Sequence, residues 1–236
     1  MIALHQLDQQ LCFPSPQYSL DDPNGLLAFG GDLSVPRLRE AYRQGIFPWY
    51  SDGEPILWWS PDPRGVLVPE AFHCSRSLRK RLRTTAHTAT LNHAFDKVVE
   101  QCANIPRNQS GTWITQDMQA AYRALHRSGD AHSVEIWSEQ GELVGGLYGV
   151  AVGAVFCGES MFSHQADASK MAFFYLVRHL ITHGGHLIDC QMPTPHLQSL
   201  GCKAMSRATF LAELSVLQDM PVANNTYTPQ SLEYTP

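Results

Sequence analysis

The stretch Leu187–Ile188–Asp189–Cys190–Gln191 places a carboxylate at the third of five positions in a largely apolar strand pattern, and it comes directly after a long apolar helix pattern over 168–182. The helix pattern closes at His183–Gly184–Gly185. Because side chains alternate along a strand, Asp189 and Gln191 are expected on one face and Cys190 on the other. In open α/β sheets ligands bind at the carboxyl ends of such strands. Asp189 is therefore a candidate functional residue, with helix capping at Pro195 or pairing with an arginine as the alternatives.

Three strand-like runs precede that helix, at 132–137, 143–150 and 154–161, and further short elements follow the strand at 195–200, 203–206 and 207–217. Upstream, the pattern predicts a strand at 88–91, a helix capped by Asn92, a polar loop at 104–111 and a helix capped by Thr115. This order resembles the fold of the GCN5-related N-acetyltransferases, an α+β or α/β class. That family binds coenzyme A with a glycine-containing turn before the helix. The corresponding residues 163–170 contain no glycine, so a coenzyme A site is not expected.

The chain is predicted to have three parts. Residues 1–63 are rich in proline, glycine and aromatic residues and form a small N-terminal α/β domain with one clear helix, which begins after Ser34 and ends near Gly45. Residues 64–218 form the acetyltransferase-like catalytic domain. Residues 219–236 are polar and are expected to be a flexible C-terminal tail.

Composition indicates a soluble protein without a metal centre. The hydrophobic content is 44%, no run is long enough to span a bilayer, and the first residues do not resemble a secretory signal. The six cysteines are scattered without a C-x-x-C spacing and are interpreted as reduced thiols of a cytoplasmic protein. His183 and His186 have a spacing found in metal sites, but the glycines between them fit a helix C-cap better.

One basic cluster stands out against a net charge of −5, within SRSLRKRLR at 75–83. On a helix, four of its charges share one face at spacings of three and four. A solvated charged face and a contact with a phosphate backbone are both compatible with this pattern, and the acidic background favours the second. The predicted tRNA-binding residues are Arg76, Arg79, Lys80, Arg81 and Arg83.

From Phe13 to Leu214 the chain resembles the leucyl/phenylalanyl-tRNA–protein transferase family. The motifs that carry the resemblance are DPNGLLAFGGDLS (22–34), GIFPWYS (45–51), WWSPDPR (58–64), HCSRSLRK (73–80), GTWIT (111–115), AYRALHRSGDAHSVEIW (121–137), LVGGLYGV (143–150), FCGESMFS (156–163), ASK (168–170), LIDCQ (187–191) and HLQSLG (196–201). A departure occurs at Cys202–Lys203, where the family pattern has Ala and a basic residue; it affects no predicted catalytic position.

The resemblance implies the reaction and its partners. Such enzymes transfer Leu, Phe and to a lesser extent Met from aminoacyl-tRNA to an N-terminal Arg or Lys of a protein, which is then degraded by an ATP-dependent protease. The expected partners are leucyl-tRNA, phenylalanyl-tRNA and these acceptor proteins, with no metal and no cofactor. Two other readings are a coenzyme-A-dependent N-acyltransferase and a non-catalytic RNA-binding module that uses the basic cluster.

By the same resemblance Asp189 and Gln191 are the catalytic residues. Asp189 either polarises Gln191, so that the amide oxygen receives the proton of the amine, or only orients the acceptor. Glu159 is expected to contact the acceptor or the terminal adenosine. Trp49 and Trp113 either stack on that adenosine or belong to the core. An apolar pocket for the transferred amino acid is predicted to contain Leu147, Phe156, Met161, Phe173, Leu176 and Ile188.

Overall fold

The computed structural model describes residues 4–105 and 112–234, and two sheets organise the chain. The smaller sheet has the strand order β1-β2-β4-β3. Its strands are β1 (His5–Leu7), β2 (Leu26–Gly30), β3 (Phe47–Pro48) and β4 (Leu57–Trp59). Helix α1 (Val35–Arg43) follows β2, as the sequence predicts after Ser34. The N-terminal region thus contains a sheet as well as the one helix that its sequence makes evident.

The larger sheet has eight strands in the order β11-β5-β10-β9-β8-β7-β6-β12. They are β5 (Arg64–Leu67), β6 (Thr88–Leu91), β7 (Ala131–Trp137), β8 (Leu143–Val152), β9 (Val155–Ser163), β10 (Leu187–Gln191), β11 (Lys203–Met205) and β12 (Gln230–Leu232). The chain changes from one sheet to the other between Trp59 and Arg64, next to the domain boundary that the sequence places at residue 63. That boundary stays a prediction.

The larger sheet has the order of elements expected from the acetyltransferase resemblance. Strands β7, β8 and β9 form the predicted antiparallel meander, and β10 returns parallel to β9. The connection between β9 and β10 is α5 (Ala168–His183), which ends at Gly184 with a φ of 86°, as expected for a helix C-cap. On its other side β10 pairs antiparallel with β5. Because β10 has neighbours on both edges and helices over the sheet, its first three side chains are buried, whereas Cys190 and Gln191 at its end are partly exposed.

The remaining helices cover the two faces of this sheet. They are α2 (Arg76–Thr84), α3 (Phe95–Asn104), α4 (Gln116–Arg127), α6 (Pro195–Ser199) and α7 (Arg207–Leu217). One apolar cluster, which includes Leu78, Leu147 and Phe173, lies on the side of α2 and α5. The other, which includes Tyr42, Val98 and Tyr122, lies on the side of α1, α3 and α4. Among the described residues, no helix has both the length and the apolarity to cross a bilayer.

Two sequence expectations about local structure are wrong. Asn92 does not cap α3, because it has a φ of 59° and its side-chain amide hydrogen-bonds to the backbone of Ser133 and Tyr227. The backbone N–H groups of His93 and Ala94, which precede α3, donate instead to the Glu135 carboxylate. The C-terminal segment is not unstructured over its described residues, because β12 pairs with β6 and Thr226 is buried. The predicted polar loop at 104–111 lies mostly outside the described residues.

Candidate active site

Asp189 is held by an arginine that precedes it by 125 residues. Its two carboxylate oxygens accept hydrogen bonds from Arg64 Nε and Nη2, at 2.8 and 2.6 Å. Both side chains are almost completely buried, with Asp189 only 1% exposed. A bidentate pair of this kind is strongly directional. Of the alternatives open at the sequence level, pairing with an arginine is the one observed, while Thr194 caps the helix that begins at Pro195.

Arg64 also ties the N-terminal region to the end of β10. Its Nη1 donates to the backbone oxygen of Gly45 at 3.0 Å, and its guanidinium lies over the rings of Phe47 and Phe210, at 5.1 and 4.5 Å from the centroids. Burial alone would lower the pKa of Arg64, but the nearby Asp189 carboxylate reverses the shift and raises it. Sequence reasoning missed this residue, although it closes the quoted motif WWSPDPR.

The strand alternation expected at the end of β10 is wrong beyond Asp189. The register against β5 shifts between Asp189 and Gln191, and Gln191 adopts a φ of 62°. Such a bulge redirects the following side chain. Cys190 and Gln191 therefore line the same cavity, whereas Asp189 is not among its lining residues. Asp189 reaches Gln191 through the backbone, because its Oδ1 accepts the Gln191 N–H at 2.9 Å.

Glu159 on β9 is the carboxylate that faces the cavity. Gln191 Nε2 donates to Oε1 of Glu159 at 2.9 Å, so the Gln191 amide contacts Glu159 and not the Asp189 side chain. On the other oxygen, Tyr122 Oη donates to Oε2 at 2.6 Å, and Tyr42 Oη lies 2.9 Å from Tyr122 Oη. Burial raises the pKa of Glu159 to about 7, and the tyrosine hydrogen bonds oppose that rise.

The two tyrosines were not found by sequence reasoning. Tyr42 comes from α1 and Tyr122 from α4, 80 residues apart, and both are buried. Each looks like an ordinary apolar-face residue of an amphipathic helix in the sequence. A buried tyrosine needs a partner for its hydroxyl, so two such residues on different helices are a weak signal of a shared polar centre.

A cavity of ≈ 340 Å³ contains all six predicted pocket residues. It lies between β8, β9, β10 and α5, and Trp113, Glu159 and Gln191 also line it. The segment after β10 closes it with residues that the sequence did not indicate, namely Thr194, His196 and Leu197. The arrangement places an apolar chamber next to a polar pair, which suits a ligand with an apolar side chain and a reactive polar group.

Two further cavities adjoin this chamber through shared walls. One of ≈ 310 Å³ has Trp49, Trp59 and Met192 among its lining residues and shares Trp113, Glu159 and Gln191 with the chamber. The other, of ≈ 760 Å³, also contains Trp49 and Trp113 and is bordered by the carboxylates of Asp52, Glu54 and Asp117. Trp49 is 40% exposed and Trp113 is half-buried, so both predicted tryptophans present surface to open cavities.

The predicted basic residues lie on α2, whose Leu78 and Leu82 pack into the core on the side of α5. Four of them are exposed, and within the described ranges none of these four forms an ion pair: Arg76, Arg79, Lys80 and Arg83. Arg81 lies on the flank of the helix and is half-buried. The sequence-predicted face therefore consists of the four exposed residues, and Arg81 stands apart from it.

The chain is similar in sequence to known proteins over nearly its whole length. The sequence model described as leucyl/phenylalanyl-tRNA protein transferase matches residues 66–215, and the model of the N-terminal domain of that family matches residues 31–62. Relatives that carry the name leucyl/phenylalanyl-tRNA–protein transferase include those of Pseudoalteromonas atlantica and Pectobacterium carotovorum. Each is 56% identical over 232 residues, which cover 98% of this chain and 99% and 98% of the relatives. The relative from Chromohalobacter salexigens is 57% identical over 216 residues, covering 92% of this chain and 84% of its own.

Similarity to solved structures is distant. The structure of L-PGS from Bacillus licheniformis has a TM-score of 0.41 at 11% identity, over 88% of this chain and 64% of that one. A GCN5-related N-acetyltransferase from Kribbella flavida has a TM-score of 0.36 at 12% identity, over 71% of this chain and 59% of that one. The sequence matches extend over nearly the whole chain and include every residue of the site described above. On that ground, the chain belongs to the leucyl/phenylalanyl-tRNA–protein transferase family.

Proposed function

We propose that this protein transfers Leu and Phe, and to a lesser extent Met, from aminoacyl-tRNA to an N-terminal Arg or Lys of acceptor proteins. The family membership supports the donor and the reaction class. The observation that carries the proposal is the apolar chamber of ≈ 340 Å³ that opens beside Glu159 and Gln191. It offers a place for an apolar amino-acid side chain with its ester at the polar pair.

The donor is proposed to extend from the chamber into the neighbouring cavity of ≈ 310 Å³, which is lined by Trp49 and Trp113 and is called the donor cavity below. In this arrangement the amino-acid side chain lies among the six apolar residues, and the terminal adenosine stacks on a tryptophan. Base stacking on an aromatic side chain is worth about 1–3 kcal/mol per base. The chamber and the donor cavity share three lining residues, Trp113, Glu159 and Gln191. In this arrangement these residues surround the ester bond.

The chemistry requires placement more than activation, because the donor is already an ester. Holding the attacking amine close to the ester carbonyl supplies much of the rate acceleration in such reactions. We assign Gln191 to this centre as a group that contacts the substrate. Asp189 is assigned as the residue that positions it, since Asp189 holds the Gln191 backbone N–H and is itself held by Arg64.

The acceptor preference is proposed to come from the large acidic cavity. This cavity, of ≈ 760 Å³, is bordered by the carboxylates of Asp52, Glu54 and Asp117. It shares the two tryptophans Trp49 and Trp113 with the donor cavity. A guanidinium or ammonium group of an N-terminal Arg or Lys would be attracted to these carboxylates and could also lie over a tryptophan ring.

We infer the wider role from the resemblance alone. The product carries an N-terminal Leu or Phe and is proposed to enter ATP-dependent proteolysis in the cytoplasm, where aminoacyl-tRNA is available. The six free cysteines are compatible with a reducing compartment.

A transfer assay tests the proposal. The protein is mixed with radiolabelled leucyl-tRNA and a peptide that begins with Arg, without ATP and without coenzyme A. Label in the peptide is expected, and a peptide that begins with Glu or carries an acetylated N-terminus serves as the control. Label that appears only when coenzyme A is added would favour a coenzyme-A-dependent acyltransferase. Binding of tRNA without any transfer would favour a non-catalytic RNA-binding module.

A further inference from the structure

Glu159 is the titratable group best placed to exchange a proton with a substrate. Its side chain lines both the apolar chamber and the donor cavity, and Glu159 is 9% exposed. The other two candidates are less suitable. Both oxygens of Asp189 are engaged by the Arg64 guanidinium, and Asp189 lines neither cavity. The amide oxygen of Gln191 is too weak a base to retain a proton near neutral pH.

We propose that Glu159 is the catalytic proton acceptor of the transfer reaction, and that Tyr122 and Tyr42 are positioning residues that hold its carboxylate. This inference rests on the proposed transfer activity. It adds a role for Glu159 beyond contact with a substrate and gives a role to two tyrosines from different helices.

The proton and electron movements balance without a further reactant. The neutral α-amine of the acceptor attacks the ester carbonyl carbon, the C–N bond forms, and the carbonyl π pair moves to oxygen. The nitrogen then carries an excess proton, which passes to the Glu159 carboxylate. When the oxyanion reforms the carbonyl, the C–O ester bond breaks and the ribose oxygen leaves with the bonding pair. That oxygen takes the proton from Glu159, which returns to the carboxylate.

Hydrogen bonds keep Glu159 in place while leaving it able to accept a proton. Oε1 accepts a bond from Gln191 Nε2 at 2.9 Å and Oε2 accepts one from Tyr122 Oη at 2.6 Å, and the Tyr42 hydroxyl is a further hydrogen-bond partner of the carboxylate. The two oxygens of a carboxylate have about four acceptor sites together, so these three partners leave the group able to accept a proton. Tyr42 lies 2.9 Å from the Tyr122 hydroxyl and fixes its orientation.

Titratable groups on four other elements act on Glu159. Asp189 on β10 raises its pKa and Arg64 on β5 lowers it, while the hydroxyls of Tyr122 on α4 and Tyr42 on α1 lower it. Other titratable neighbours are Cys157 on the same strand and Tyr148 on β8, which faces Tyr122. Burial is the largest influence, and the resulting pKa of about 7 suits a group that must both take and return a proton near neutral pH.

The test compares three variants with the unchanged protein: Glu159→Gln, Tyr122→Phe and Tyr42→Phe. Tyr175→Phe, on α5 and outside the cavities, is the matched control. Turnover is measured at saturating leucyl-tRNA between pH 5.5 and pH 9, a range of about two units or less on each side of neutrality. A second acceptor peptide carries an aminooxy group in place of its α-amine. Since this nucleophile stays neutral across the range, any remaining loss of turnover at low pH belongs to the enzyme.

With the aminooxy acceptor, the unchanged protein should lose turnover as the pH falls through about 7, because the carboxylate becomes protonated. Tyr122→Phe removes a donor to that carboxylate, so its pKa rises and the loss should move to higher pH. Tyr42→Phe should shift it less in the same direction. Glu159→Gln should reduce turnover by about 10²–10⁴-fold and abolish this pH dependence, and Tyr175→Phe should change neither.

Three outcomes would overturn the inference while leaving the transfer activity established. The first is a Glu159→Gln variant that changes the KM for the acceptor but not turnover. The second is a pH dependence that persists in that variant. The third is a Tyr122→Phe variant, folded by circular dichroism, whose pH dependence matches that of Tyr175→Phe. Absence of transfer by the unchanged protein would instead count against the proposed function itself.

Discussion

At the residue scale, the Asp189–Arg64 pair fixes the conformation of the backbone at the end of β10. The pair is bidentate and buried, and it joins the strand to Gly45 and Phe47 in the N-terminal region. Buried ion pairs are costly to form, but removal of one partner is more costly still because the other charge remains without compensation. The pair therefore engages both carboxylate oxygens of Asp189 and fixes the carboxylate that accepts the Gln191 N–H.

Asp189→Asn is expected to reduce stability as well as activity. The buried Arg64 guanidinium would lose its counter-charge, at a cost of about 3–5 kcal/mol in the free energy of unfolding. Turnover of the folded fraction should fall on the order of 10²-fold, because small displacements of a positioned group have effects of that size. Urea denaturation and a transfer assay at saturating donor measure the two effects.

The matched control for this change is Asp219→Asn. Asp219 pairs with Arg43 at 2.8 Å, but the two side chains are 69% and 44% exposed. Exposed pairs contribute about 0–1 kcal/mol. If both variants lose the same small amount of stability, the buried pair does not have the role assigned to it.

Met161 is expected to set the preference among transferred amino acids. It lines the chamber of ≈ 340 Å³ together with Phe156 and Phe173. Met161→Ala enlarges the chamber and loosens its fit, so leucyl transfer should fall by about 10-fold and the Leu:Phe ratio should change. Competition between the two aminoacyl-tRNAs measures the ratio. Met220→Ala, outside the chamber, is the control, and a ratio equal to that of this control would exclude Met161 from selection.

At the scale of a single element, α2 separates a structural face from a charged one. Leu78 and Leu82 are buried against the core, and Ser75 caps the first turn by accepting the Leu78 N–H. The exposed face carries Arg76, Arg79, Lys80 and Arg83. Because the helix is anchored by its leucines, these charges can be removed without exposing the core.

Simultaneous replacement of Arg76, Lys80 and Arg83 by Ala is expected to weaken tRNA binding. Each lost phosphate contact should reduce the slope of log K against log salt by about 0.7–0.9, so the change should be about 2–3 units. Transfer from a minimal aminoacyl-adenosine donor should be nearly unchanged, because that donor has no tRNA backbone. Titrations at several salt concentrations provide the measurement.

A matched control removes three exposed charges elsewhere, with Lys97, Arg127 and Arg178 replaced by Ala. Equal weakening in this control would indicate a general effect of net charge. Equal loss with the minimal donor would indicate that α2 supports the fold of the site instead.

At the scale of the whole molecule, the C-terminal segment completes the edge of the larger sheet. Strand β12 pairs with β6, the ring of Tyr227 stacks on His132 with centroids 3.8 Å apart, and His179 Nε2 lies 2.6 Å from the Thr226 carbonyl oxygen. Burial lowers the pKa of His132 from 6.5 to about 3, with a smaller contribution from His126. In the folded protein the His132 imidazole is therefore neutral near pH 7.

Acid should destabilise this closure through His132. Above pH 6.5 the imidazole is neutral in both states and contributes no pH dependence. As the pH falls below 6.5 the unfolded chain binds the proton first, so stability is lost at about 1.4 kcal/mol per pH unit until the folded-state pKa is reached. Between pH 7 and pH 5 the loss from this residue should be about 2 kcal/mol.

The measurement compares urea unfolding of the unchanged protein with that of His132→Phe at pH 7 and pH 5. Phe retains a ring to stack on Tyr227 but cannot titrate, so the difference between the two pH dependences isolates His132. Equal pH dependence in both proteins would mean that His132 does not contribute to acid sensitivity.

Much of the candidate site could be predicted because it depends on patterns that are local in sequence. Period-two runs predicted β7, β8 and β9, and a helix with a glycine stop predicted α5. The six chamber residues lie on these elements and on β10, so a resemblance to the family was sufficient to name them. Local hydrophobic periodicity and turn residues suffice here because each element buries one face.

The amino-acid sequence by itself determined the family, the order of elements from α2 to α7, the residues of the apolar chamber and the basic face of α2. Tertiary structure alone decided that Arg64 holds Asp189, that Tyr42 and Tyr122 meet at Glu159, and that a bulge directs Gln191 into the cavity. It also decided that the C-terminal segment pairs with β6. These features join residues far apart in the chain, and a buried polar group is satisfied by whichever partner the fold brings within hydrogen-bond distance. No local pattern of residues specifies that partner.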